Sequence, residues 1–151
     1  MRTLRALGHA ARGLYTTYRR EVHFRFQVWA GYTALSLGYL LQLKAAEMAL
    51  LLLVIGLVWV AELFNSAVES ILDIFTREWR RDVGEVKDLA AGAVLLTSLV
   101  ALAVGILLFL PRVGWGSLRP VPWELGALGG VVWVLLALLI PWGGYVKRSY
   151  R

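Results

Sequence analysis

No cysteine occurs among the 151 residues, so a disulfide framework, a thiolate metal site and a cysteine nucleophile are all excluded. Histidine is nearly as scarce. His9 and His23 stand isolated and read as interfacial polar residues, not as metal ligands. Charge is thin as well: 17% of residues are Asp, Glu, Lys or Arg against about 25% in soluble domains, and 59% are apolar against about 45–50%. With a mean hydropathy of +0.65, these proportions argue against a soluble globule and against disorder. The Gly-x-x-x-x-Gly-Lys-Ser/Thr phosphate loop and the protein-kinase motif set are missing, so any nucleotide site is of another kind. Regular alternation of apolar and polar residues is missing too, which disfavours a β-barrel.

What is present is a set of long apolar runs, at residues 28–43, 48–72, 89–110 and 125–142. A bilayer core of about 30 Å takes roughly 17–25 helical residues to cross. The third and fourth runs meet that length. The first is short and contains Gln42, and the second carries Glu62, Asn65, Glu69 and Asp73. The chain therefore reads as an all-α integral membrane protein with three core spans and a fourth, C-terminal one. Lys and Arg set the orientation, because cytoplasmic segments are enriched in them. Arg2, Arg5, Arg12, Arg19, Arg20 and Arg25 precede the first span; Arg77, Arg80, Arg81 and Lys87 lie between the second and third; Lys147, Arg148 and Arg151 follow the fourth. Only Lys44, Arg112 and Arg119 fall on the other side. Both termini and the 77–87 segment are expected in the cytoplasm, and Pro111, Gly114, Gly116, Pro120 and Pro122 mark a non-cytoplasmic turn.

Residues 2–20 have an amphipathic pattern: Leu4, Leu7, Ala11, Leu14, Tyr15 and Tyr18 share one helical face, and Arg2, Arg5, Arg12 and Arg19 the other. Such a helix lies in the headgroup layer. Five arginines and no compact apolar core argue against a secretory signal. The seven tryptophans, Trp29, Trp59, Trp79, Trp115, Trp123, Trp133 and Trp142, fall mostly near span ends and read as an aromatic belt. The net charge of +6 has its bases distributed between apolar runs, so no nucleic-acid partner is expected.

The second run holds the chemistry. A carboxylate in a membrane helix costs about 2.5–3.5 kcal/mol on insertion scales, so several on one span need a purpose. Glu62 and Glu69 are two turns apart on one face, Asn65 and Ser66 flank them, and Asp73 follows one turn on. Glu78, Asp82, Glu85, Lys87 and Asp88 then form a charged connector, followed by the small residues Ala90, Ala91, Gly92 and Ala93, which suit close helix packing. By residue chemistry alone three readings stay open: a membrane phosphotransferase, with one carboxylate as base and others on a hard cation; an ion-coupled transporter; and a polar helix-assembly device. Taken singly, Glu21 reads sooner as an interfacial partner of Arg20 or Arg25 than as a metal ligand, and Lys87 with Asp88 sooner as a solvated junction than as a nucleotide site.

The order Glu62, Asn65-Ser66-Ala67, Glu69 and Asp73, then Lys87-Asp88-Leu89-Ala90-Ala91-Gly92-Ala93, resembles the signature of the prokaryotic diacylglycerol kinase family, which includes the undecaprenol kinases. Upstream, Glu21-Val22-His23-Phe24-Arg25 resembles the family's Glu-x-x-Phe-Arg element, and Ala10-Ala11-Arg12-Gly13-Leu14 the end of its surface helix. The likeness covers roughly residues 2–110. It implies a membrane lipid kinase, usually a homotrimer of three-span protomers with active sites shared between neighbours, in the cytoplasmic (inner) membrane. By that resemblance Glu62 is the catalytic base, Glu21 and Glu69 hold the Mg²⁺ that accompanies ATP, and Lys87 and Asp88 bind the nucleotide. Glu78, Arg2 and Asn65 occupy places that also contact ATP or stand beside the base.

The expected organisation is a kinase core at 1–110, with a surface helix at 2–20 and spans at 28–43, 48–72 and 89–110. A non-cytoplasmic loop at 111–124 and an accessory span with a basic cytoplasmic tail at 125–151 complete it. The expected reaction is phosphorylation of diacylglycerol to phosphatidic acid by ATP. Undecaprenol is the alternative acceptor, and a proton-coupled transporter is the alternative of another class, disfavoured because the polar residues cluster at one end. Two departures from the family pattern stand out. Glu78-Trp79-Arg80-Arg81 replaces a connector that often carries His, and Gln27 stands where some members have a carboxylate and others His, a slight likeness to the undecaprenol branch.

Overall fold

The computed structural model describes residues 2–75 and 81–112. Glu78, the 111–124 loop from Val113 onward, the fourth apolar run and the basic tail lie outside the described residues. Those described form helices α1 (Arg2–Arg20), α2 (Val22–Leu40), α3 (Ala45–Phe75) and α4 (Arg81–Phe109), closed by a single 3₁₀ turn at Leu110–Arg112.

Helix α1 covers the stretch whose sequence pattern is amphipathic. None of its residues is buried, and Leu4, Leu7, Leu14 and Tyr15 stay exposed, as suits an apolar face that meets lipid in place of protein. At Glu21 the backbone turns extended (φ −98°, ψ 115°), which separates α1 from α2; its carboxylate makes no capping hydrogen bond.

Helix α2 is offset from the apolar run at 28–43. The helix begins at Val22 and stops at Leu40, because a Schellman motif ends it: Leu43 N–H donates to Gly38 O at 2.9 Å and Gln42 N–H to Tyr39 O at 3.1 Å. Gln42 occupies the left-handed position at φ 53° and lies in the turn, not in the span. Gly38 permits this turn, since a Cβ there would stand 2.9 Å from Leu43 Cδ1.

The expected 48–72 and 89–110 spans are also longer as helices. In α3 the 31 residues run through the polar stripe to Phe75, since Glu, Asn and Ser on one face do not interrupt backbone hydrogen bonding. In α4 the helix starts at Arg81, two turns before the apolar run, with Arg81 and Glu85 paired at 3.3 Å across one turn. Lys87 and Asp88 thus sit on a helix and not on an irregular connector. Among the described residues, α3 and the segment from Arg81 to Arg112 are long and apolar enough to cross a membrane. The 19 residues of α2 span about 28 Å, but His23, Arg25 and Gln27 make its first turns polar.

Packing is thin. Phe24, Leu51, Val54, Ile55, Val58 and Leu108 are the buried apolar side chains among the described residues, and α3 is the hub on which α2 and α4 pack. The approach of α2 depends on Gly31, where a Cβ would lie 2.7 Å from Ile55 Cγ2. Two ion pairs set the antiparallel register of α3 and α4. Lys87 Nζ meets Asp73 Oδ1 at 2.7 Å at one end, and Arg112 Nη2 bonds both oxygens of Glu47 at 2.8 and 2.7 Å at the other. Glu47 also accepts from Lys44 N–H at 2.7 Å, one half of a capping box, and Arg112 Nη1 caps Leu108 O at 2.8 Å. Between these ties, Ser98 falls level with Glu62.

Candidate active site

Glu62 is the one charged side chain buried among the described residues, at 5% exposure. Fourteen residues of helix put it about 21 Å past Met48 on α3, and Glu69 lies about 10 Å further toward the C-terminal end of that helix. Its carboxylate is held from α2. Gln27 Nε2 donates to Glu62 Oε2 at 3.0 Å, and Trp59 Nε1, one turn earlier on α3, donates to the Gln27 backbone oxygen at 3.2 Å.

The stripe continues through Asn65, whose Nδ2 donates to Glu69 Oε1 at 3.0 Å. Both amides turn their NH₂ groups toward a carboxylate oxygen. That leaves Gln27 Oε1 and Asn65 Oδ1 buried without a hydrogen-bond partner. Each such acceptor costs about 1–3 kcal/mol, which marks the stripe as a place built for a further group. At its outer end Asp73 receives Lys87 from α4, both side chains about two-fifths exposed.

Of the residues singled out from the sequence, Glu62, Asn65, Glu69 and Lys87 therefore lie on or against one stripe. Asp88 is exposed on α4, a third of a helical turn past Lys87, and Arg2 is exposed on α1. Glu21 is half-buried at the α1–α2 break. Among the described residues no three carboxylates or imidazoles converge as a metal cage would require. The donor chemistry nonetheless fits a hard cation, which takes oxygen ligands: the Glu69 carboxylate and the orphaned Asn65 Oδ1 are adjacent.

Two residues escaped the sequence reading. Gln27 was notable there only for what stands at its position in relatives, not as a partner of Glu62. Trp59 does not serve as a belt residue alone, since its indole ties α3 to α2 inside the bundle. Its place one turn before Glu62 was the available signal.

An apolar groove of about 650 Å³ adjoins the stripe, between α2, α3 and α4. Gln27 and Trp59 lie along it, followed by Val58, Val54 and Leu102, with Phe109 and Leu110 among its other lining residues. The family model for prokaryotic diacylglycerol kinase matches residues 8–109, a stretch that holds every residue of the stripe, Gln27 and Lys87. The chain belongs to the prokaryotic diacylglycerol kinase family. Among relatives in this family, the undecaprenol kinase of Bacillus subtilis (strain 168) is 34% identical over 111 residues, 74% of this chain and 90% of that protein. The diacylglycerol kinase of Escherichia coli (strain K12) is 29% identical over 113 residues, 75% of this chain and 93% of that protein. A diacylglycerol kinase of Synechocystis sp. is 35% identical over 104 residues, 68% of this chain but 59% of that longer protein. Arg2 and the fourth apolar run fall outside the stretch matched to the kinase family.

Proposed function

We propose that this protein is a membrane lipid kinase that transfers the γ-phosphate of ATP to the hydroxyl of diacylglycerol, with Glu62 as the general base. The observation that carries the reading is a buried carboxylate, held by one oxygen, at the inner end of a polar stripe in a chain of this kinase family. The lipid keeps its tails in the bilayer and presents its hydroxyl at the mouth of the groove. Glu62 takes the proton as the lipid oxygen bonds to the γ-phosphorus, and the bond from that phosphorus to the ADP oxygen breaks. Most of the rate gain in such transfers comes from position and electrostatics. Lys87 and Asp88, with Glu78 and Arg2, bind the nucleotide, and Asn65 holds Glu69 in place beside it. Glu21 and Glu69 would hold Mg²⁺, with Asn65 Oδ1 adjacent to Glu69, and the cation would supply neutralisation of phosphate charge.

Undecaprenol is the second acceptor, favoured by the Bacillus subtilis relative and by Gln27 in place of a carboxylate. The reading also includes both termini in the cytoplasm, α2 as the first of three core spans and 125–142 as a fourth, and a cytoplasmic-membrane location. A homotrimer that shares its sites is in keeping with the many exposed apolar side chains on α3 and α4. Purified protein in mixed micelles with γ-labelled ATP and separate diacylglycerol and undecaprenol arms tests the function. Label in the organic phase identifies the acceptor. Label in neither lipid, with ATP bound, overturns the reading.

A further inference from the structure

We infer that Gln27 is a positioning residue that orients Glu62 for proton transfer, an assignment that rests on Glu62 being the base. Gln27 is the one protein donor to the Glu62 carboxylate among the described residues, at Oε2. Oε1 of Glu62 is thereby the oxygen left for an incoming hydroxyl. The amide cannot easily withdraw, because its own backbone oxygen is tied to Trp59 Nε1 and α2 is pressed onto Ile55 at Gly31, one turn further along. From α4, the residue level with Glu62 is Ser98, and Asp88 lies beyond it toward the headgroups, so no competing ionisable group faces the base there. Arg25, the nearest cation on α2, is turned away and donates to Arg19 O at 3.0 Å. Gln27 also lines the apolar groove, so a lipid tail lying in that groove would lead its hydroxyl to the oxygen that Gln27 leaves open.

A residue that merely ties two helices together would lower stability when replaced; one that orients the base lowers turnover. The test uses the full chain in mixed micelles, with Gln27→Met, which keeps volume but has no donor, and Gln27→His, which restores an N–H. Gln27→Met is expected to lower kcat about 10- to 100-fold with the KM for ATP unchanged and the protein still folded, the scale of one hydrogen bond to a charged group. Gln27→His should recover part of that loss. In a Glu62→Gln background, adding Gln27→Met should cost nothing further, because the oriented group is already gone. Unchanged kcat in Gln27→Met, an equal loss in the Glu62→Gln background, or a loss without rescue by His that follows the fraction unfolded overturns the inference. If Glu62→Gln itself keeps wild-type turnover, the base assignment fails and this one with it; an inactive Glu62→Gln beside a fully active Gln27→Met sinks this one alone.

Discussion

Glu62 is a carboxylate in a helix that has little reason to carry one, and its burial beside a single amide donor makes substitution informative. Glu62→Gln keeps the shape, and a second amide can still bond to Gln27, so the bundle should assemble. Losing a general base costs about 10²–10⁴-fold, and phosphorylation of either lipid should drop by that factor. A micelle assay on the folded protein checks it. Gln42 carries a different kind of cost. Its φ of 53° in the α2–α3 turn is a conformation that costs an ordinary residue about 1–2 kcal/mol and glycine almost nothing. Gln42→Gly should therefore stabilise the protein by about 0.5–1 kcal/mol, read as a higher thermal midpoint with turnover unchanged. The stripe of Glu62, Asn65, Glu69 and Asp73 could be read in the sequence because helical spacing alone puts those residues on one face. The Gln27 contact could not, since its partner lies 35 residues away and only the α2–α3 packing brings the two together.

Helices α2 and α3 meet through glycine, and that contact sets the position of the site. A Cβ at Gly31 would stand 2.7 Å from Ile55 Cγ2 and 3.1 Å from the Trp59 ring, so α2 must move if one is added. Gly31→Ala is expected to destabilise by about 1–3 kcal/mol and to lower turnover, since Gln27 sits one turn away on the same helix. Gly56, with nothing within 4 Å of its would-be Cβ, is the control: Gly56→Ala should leave turnover intact. Thermal melts and initial rates on both variants separate the two cases. Element ends were less legible than element identity. The amphipathic period of α1 ends where its pattern ends, at Arg20, but apolar runs mark only the lipid-facing part of a helix. For that reason α3 and α4 extend beyond their apolar runs into polar turns at Phe75 and Arg81. The end of α2 was obscured for another cause, because Gln42 is a non-glycine residue in a position that usually reveals itself through glycine. The Glu47–Arg112 clamp was equally hidden, its partners being separated by the whole of α3 and α4.

At the scale of the molecule, the described helices expose far more apolar surface than they bury. Leu52, Leu53, Leu57 and Phe64 on α3, and Leu95, Leu96, Leu99 and Leu107 on α4, are exposed, where lipid or further copies of the chain would cover them. The composition had already required this, since a chain 59% apolar cannot hide its side chains inside three or four helices. The fourth run stands apart from that assembly in chemical terms. Between Leu125 and Trp142 the sequence has no ionisable residue, so it offers no acid, base or metal ligand. The sequence spacing of Gly126, Gly129 and Gly130, three and four apart, would suit close helix contact and a packing role. Every residue of the stripe, together with Gln27, Lys87 and the Glu47–Arg112 clamp, lies before Arg119, so a chain ended there keeps all the groups that the proposed chemistry uses. Truncation after Arg119 should therefore leave lipid phosphorylation in place, with a lower thermal midpoint or a looser oligomer. Comparing turnover, thermal midpoint and oligomer mass of the two forms decides the matter: a folded, ATP-binding truncated oligomer that cannot transfer phosphate would mean that the fourth run takes part in lipid access.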